Sequence, residues 1–163
     1  GVRWGTSTLK GEWITMEDVM TQCAMTYGET YVSEMSGKDL MNILEGVADN
    51  LFDPDPYLQS GGDMVRVGGL DYTIDPAKRL YQRITDARLD NGHLIEPEET
   101  YKVAGWASVG SAPEGRLMWD VVRDYILAVR GEDDVLVLPK INHPTLVGVA
   151  DNPGIADYPG EMS

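Results

Sequence analysis

The sequence predicts an α+β fold, a mixed sheet packed by helices. Three observations lead there. Two helix-start signals, Thr15 with Asp18 and Ser36 with Asp39, each precede apolar residues at helical spacing. Several short alternating runs are bounded by Gly, Pro and Asn, as strands are. And 163 residues, 42% of them hydrophobic, suffice for a single domain with a real core.

Taken in order, residues 1–11 form a turn-rich entry. Thr15 is an N-cap with Asp18 at the third helical position, opening a helix that should run to about Tyr27 and bury Met16, Val19, Met20 and Cys23 before Gly28 stops it. Residues 30–35 alternate as a strand. Ser36 and Asp39 then start a helix in which Leu40, Ile43, Leu44, Val47, Ala48 and Leu51 share a face. Asp53-Pro54-Asp55-Pro56 ends it, because proline removes a donor and pushes its predecessor out of the helical region. Strands are expected at 64–67, 71–74, 83–88 and 101–104, with Asn91-Gly92 as a hairpin turn between the last two. A third helix over 117–129 carries Leu117, Val121, Val122, Ile126 and Val129 on one side, and a last strand is expected at 135–138. From about residue 139, prolines and glycines indicate an extended tail lying on another surface.

Charge excludes some function classes. Thirteen basic residues against 27 acidic ones give a net charge of −14, which repels nucleic-acid phosphates and anionic lipid. No apolar run approaches the ~20 residues that span a bilayer. The single Cys23 can form no internal disulfide and reads as a core residue. No leader is visible, and the start at Gly1 reads as a fragment or a processed product.

Catalytic chemistry is sparse. His93 sits beside the Asn91-Gly92 turn and His143 in the tail; neither has the neighbours of a metal site, and Asp53 and Asp55 read as loop residues between prolines. Two segments have another character. In Gly61-Gly62-Asp63-Met64-Val65-Arg66-Val67-Gly68-Gly69, paired glycines bracket a short run. The segment is either a hairpin with glycine corners or a place where backbone approaches a ligand. At the start, Gly1-Val2-Arg3-Trp4-Gly5 offers a guanidinium fork for an oxyanion with an aromatic wall beside it, or a surface arginine in a frayed end.

The order of these features resembles the C-terminal domain of the 5'-nucleotidase family over roughly residues 1–129. Gly1-Val2-Arg3 matches the second half of that family's Gly-Gly-x-Arg segment, Thr15-Met16-Glu17-Asp18-Val19 its Thr-x-x-Asp helix start, and Ser36-Gly37-Lys38-Asp39-Leu40 the next one. The resemblance implies a 5'-nucleotidase C-terminal domain-like fold, an anion-gripping role for Arg3, and an N-terminal metallophosphoesterase domain that is not in this chain. Two departures bear on substrate. Asp63 stands where nucleotidases place a Phe to stack on the base, and Trp106-Ala107-Ser108 replaces a segment with a second stacking Phe. Each lost stack would cost a nucleoside about 1–3 kcal/mol.

Within the family, the thiosulfohydrolase branch of bacterial sulfur oxidation is most similar. The strings that carry this are Arg3-Trp4-Gly5-Thr6, Asp49-Asn50-Leu51-Phe52, the glycine-bracketed segment from Gly61 to Gly69, Val103-Ala104-Gly105-Trp106-Ala107-Ser108, Asn142-His143-Pro144 and 152–158. That resemblance implies a periplasmic hydrolase with two manganese ions in the N-terminal domain. Its substrate would be a cysteine S-thiosulfonate on the flexible arm of a sulfur-carrier protein, from which it releases sulfate. Arg3, Trp4, Gly61, Gly62, Asp63, Arg66 and Trp106 would then bind substrate, with no catalytic residue and no metal in this chain, which alone would be inactive. Gly61-Gly62-Asp63 and Gly105-Trp106 are expected to face each other across a channel for the arm. The other readings are a nucleotide phosphohydrolase with an altered base pocket and a stand-alone binding module.

Overall fold

A computed structural model describes residues 7–23, 27–61, 64–106, 115–131, 133–136 and 140–148. Among them the elements are α1 (Met16–Gln22), β1 (Thr30–Ser36), α2 (Gly37–Phe52), β2 (Leu70–Ile74), β3 (Ile84–Leu89), β4 (Thr100–Trp106), α3 (Met118–Val129) and β5 (Thr145–Leu146). The fold is α+β, as the order of signals implies. The chain divides into two compact units, residues 1–40 with 96–141 and residues 41–95 with 142–163.

In the first unit α1 starts where its capping box requires. Thr15 Oγ1 accepts from the Asp18 N–H at 3.2 Å, and the Asp18 carboxylate accepts from the Thr15 N–H at 2.8 Å. The Thr15 hydroxyl also donates to the Asp18 carboxylate at 2.6 Å, and this bond first, then the one from the Thr15 N–H, holds the Asp18 carboxyl below its ordinary pKa. The helix stops at Gln22, short of Tyr27. Cys23 has left helical space (φ −93°, ψ 150°), and its N–H is shared between the Val19 and Met20 carbonyls, which tightens and closes the last turn.

β1 pairs antiparallel with β4 from Thr30↔Trp106 to Ser36↔Thr100. One face of this ribbon, with Tyr31, Ser33, Met35, Tyr101, Val103 and Gly105, is half-buried, while Val32, Glu34, Lys102, Ala104 and Trp106 look outward. Ser36 ends the strand and caps the helix that follows it directly: its hydroxyl accepts from Asp39 N–H at 3.1 Å and donates to the Asp39 carboxylate at 2.7 Å. α3 has no side-chain cap and no fully buried residue. Val122 and Ile126 on α3 and Ile14, Val19 and Cys23 at α1 line an apolar recess of about 260 Å³. Asp124 on α3 receives hydrogen bonds from Arg116 and Arg123, which lower its pKa below the usual carboxylate range.

The second unit holds a cluster of buried apolar residues. Leu44 and Ala48 of α2 pack on Tyr72 and Ile74 of β2 and on Ile84 and Ala87 of β3, with Met41, Phe52, Met64, Val67, Leu70 and Ile95 around them. This is the period-3.6 face of α2 meeting the period-2 face of β2 and a face of β3 whose alternation is broken by a register shift near Asp86, so that Ile84 and Ala87, three apart, both point inward. β2 pairs antiparallel with β3 (Ile74↔Ile84, Leu70↔Leu89) and parallel with β5 (Thr73↔Thr145, Ile74↔Leu146), so the sheet is mixed, in the order β3-β2-β5.

Three local expectations change. Residues 64–67 are not a strand: Met64 and Val67 turn onto the core and Val65 and Arg66 turn out, with no partner strand among the described residues. The glycine-cornered hairpin is therefore absent, and the antiparallel partner of β2 is β3. Asn91-Gly92 does reverse the chain, but onto residues 94–95 rather than β4; Leu94 bridges Arg88, and the Ile95 N–H donates to the Ala87 carbonyl at 2.9 Å. Of the strand expected at 135–138, residues 137 and 138 lie outside the described residues, and Leu136 makes a single bridge to Arg130.

The second unit also buries charge. Arg83 is 2% exposed and Glu45 3%. The Glu45 carboxylate accepts from Ile84 N–H at 2.7 Å and from Tyr81 N–H at 3.0 Å, tying the β2–β3 connection to α2. Arg83 pairs with Asp49, also on α2, and donates to the Phe52 carbonyl at 3.2 Å. A buried ion needs such a partner, because desolvation otherwise outweighs everything it gains.

Candidate functional site

Of the residues proposed to bind substrate, Arg3, Trp4, Gly62 and Asp63 lie outside the described residues. Gly61 and Arg66 are exposed and belong to the second unit; Trp106 ends β4 in the first unit and is 38% exposed.

The segment from Gly61 to Gly69 is held at both ends by asparagine. At the entry, Gly61 N–H donates to the Asn50 carbonyl at 3.2 Å, and Ser60 Oγ donates to Asn50 Oδ1 at 3.0 Å. A side chain at Gly61 would begin 3.0 Å from the Asn50 Cβ, so the loop lies against α2 where only glycine fits without displacement. At the exit, Gly69 has φ +80°, a left-handed conformation that glycine adopts at little cost. Its N–H donates at 2.9 Å to the side-chain oxygen of Asn142, which is buried. The Asn142 amide nitrogen donates to Asp71 and to Asp90, each at 2.9 Å, and Asp90 N–H donates to the Gly69 carbonyl at 3.2 Å. Between these anchors Val65 and Arg66 project outward. The described part of the loop thus carries an exposed arginine close to an end held by hydrogen bonds.

The remaining polar residues show structural roles. Asp53 accepts from Asp55 N–H at 2.8 Å and Asp55 from Tyr57 N–H at 2.9 Å, the turns that the prolines imply. His93 is exposed in its turn, its N–H donating to Asn91 Oδ1 at 3.0 Å. Burial raises the Cys23 thiol pKa, which suits packing better than nucleophilic or ligand chemistry. Among the described residues no three His, Cys, Asp or Glu side chains gather as a metal site would require, and no helix is long and apolar enough to cross a membrane. Two residues carry no local signal of the roles they take: Arg83, inside an expected strand, and Asn142, which the sequence shows only as part of Asn142-His143-Pro144, where His143 is exposed.

The mixed sheet, the capped helices and the glycine loop define a class. The chain belongs to the family of 5'-nucleotidase C-terminal domains, whose model matches residues 1–119. Among solved structures it is similar to the sulfate thiohydrolase SoxB of Thermus thermophilus, determined in complex with glycerol. The identity is 32%, the TM-score 0.75, and the match covers 91% of this chain and 28% of that one. A 5'-nucleotidase precursor, also from Thermus thermophilus, is similar in fold alone, with 17% identity, a TM-score of 0.61, and coverage of 84% of this chain and 28% of that one. The chain thus spans little more than a quarter of either relative. No curated protein matches it.

Proposed function

We propose that the chain is the substrate-binding domain of a periplasmic thiosulfohydrolase that acts on a cysteine S-thiosulfonate carried by another protein. The observation that carries this reading is the contrast between relatives: 32% identity to the sulfate thiohydrolase against 17% to the nucleotidase, over nearly the same span. In the proposed reaction, water oxygen bonds to the terminal sulfonate sulfur and the sulfur–sulfur bond breaks. Sulfate leaves, the carrier keeps a persulfide, and two protons are released at neutral pH.

The described residues do not fit a metal centre, so two manganese ions would belong to an N-terminal metallophosphoesterase domain of the full-length protein, where they would supply an activated water. This chain would contribute binding. Arg3 would grip the sulfonate, Arg66 would add positive potential on a strongly acidic surface, and Trp4 and Trp106 would form apolar walls. Gly61 and Gly62, with Asp63, would leave clearance for a peptide arm.

The deciding experiment gives the full-length, metal-loaded protein a carrier bearing the thiosulfonate and, separately, nucleoside monophosphates. Sulfate release from the carrier without phosphate release from nucleotides is expected; the reverse would reassign the protein to the nucleotidases. The clearance argument has its own test. Gly62→Val should reduce kcat/KM for the carrier roughly 10-fold or more, the scale of one steric misfit of about 1–3 kcal/mol, and leave a small thiosulfonate nearly unaffected. Equal losses on both substrates would mean that Gly62 only shapes the loop.

A further inference from the structure

We infer that Asn142 and Asn50 are positioning residues for the loop from Gly61 to Gly69, and that together they set the aim of the substrate-facing groups it carries. This deepens the proposed function and rests on it for the identity of the substrate, though not for the mechanical role. Three segments are involved, 49–52, 61–69 and 142–144, the last more than seventy positions beyond Gly69. They meet within one unit, and the outer two grip opposite ends of the middle one.

The chemistry of the grip explains why asparagine is used at the exit. A buried group there must accept from the Gly69 N–H and simultaneously donate to two carboxylates, Asp71 on β2 and Asp90 just beyond β3. A side-chain amide supplies one acceptor oxygen and two N–H donors; a carboxylate supplies no donor when ionised, and a hydroxyl only one. Asn142 therefore joins the loop, β2 and the end of β3 through one planar group, and the parallel pairing of β5 shortly after it fixes its backbone. At the entry, Asn50 uses its main-chain carbonyl for Gly61 and its side chain for Ser60, so α2 fixes the first residues of the loop. Arg66 lies three positions before the Gly69 anchor, so the grip of Asn142 bears on the point from which its side chain departs.

The test uses the full-length, metal-loaded protein with Asn142→Ala, and with Ser60→Ala at the other anchor. Ile74→Val, in the core of the same unit and outside the grip, serves as a destabilised comparison. Amide exchange of the Gly69 N–H is expected to quicken at least 10-fold in Asn142→Ala and to change less than 2-fold in Ile74→Val. In steady-state kinetics, KM for whichever substrate the wild-type protein hydrolyses is expected to rise at least 10-fold in Asn142→Ala and 3-fold or more in Ser60→Ala, with kcat within 3-fold. Unchanged Gly69 exchange, or a KM within 2-fold of wild type in both variants, overturns the assignment whatever the substrate is. If Asn142→Ala does not fold, Ser60→Ala decides by the same KM criterion. A wild-type protein that hydrolyses nucleotides instead overturns the proposed substrate and leaves the exchange and KM criteria to judge the grip on their own.

Discussion

Asp49→Ala should destabilise the second unit by about 3 kcal/mol, the lower end of the cost of breaking a buried ion pair. The lower end applies because the Asp49 side chain is 27% exposed whereas that of Arg83 is 3% exposed. Removing the carboxylate leaves a guanidinium in the interior with, among the described residues, the Phe52 carbonyl to satisfy it. A fall in melting temperature of roughly 6–12 °C is expected for a chain of this size. Asp49→Asn keeps an acceptor and should lose less. A fall of under 2 °C in Asp49→Ala would mean that Arg83 finds water or another partner, and that the pair is incidental to stability.

The second large effect is on turnover. Arg3→Ala in the full-length protein should lower kcat for the carrier-bound thiosulfonate by about 10²–10³-fold, the range seen when one fixed donor to a developing oxyanion is removed. A role in binding rather than in folding predicts a melting temperature within a degree or two of wild type. Arg3→Lys should recover little, because an ammonium cannot reproduce the two parallel hydrogen bonds of a guanidinium. Kinetics of Arg3→Ala within 3-fold of wild type would remove this residue from the site and shift attention to Arg66.

Much of the architecture was legible because its causes are local. Thr15 with Asp18 and Ser36 with Asp39 cap helices through bonds made three residues apart. The apolar face of α2 is a repeat within one segment, and its Leu44 and Ala48 are buried. The failures have long-range causes. Met64 and Val67 sit in a run that reads as a strand, yet they bury by turning onto a core that other segments build. β5 is two residues long in a stretch rich in proline, and nothing local shows that it will lie beside β2. Asn142 acquires its role from Gly69, Asp71 and Asp90, 52 to 73 positions away. The glycine loop and Arg66 are candidates that the sequence itself offers, while the anchors that hold the loop are visible there only as parts of longer strings.

The division of the chain into residues 1–40 with 96–141 and 41–95 with 142–163 also governs how the molecule can be made. Each unit is assembled from two stretches, and the stretches alternate along the chain. During synthesis neither unit is complete until the other is nearly so: the first waits for α3, and the second waits for Asn142 and β5. Such non-local closure slows folding and leaves partly formed sheet edges exposed meanwhile. A nascent chain ending before Asn142 would carry Asp71 and Asp90 without the amide that bridges them, and Gly69 without its acceptor. The stretch around Asn142 thus closes the frame of the loop well after the loop itself has left the ribosome, which makes assembly of the candidate site a late event in the life of each molecule.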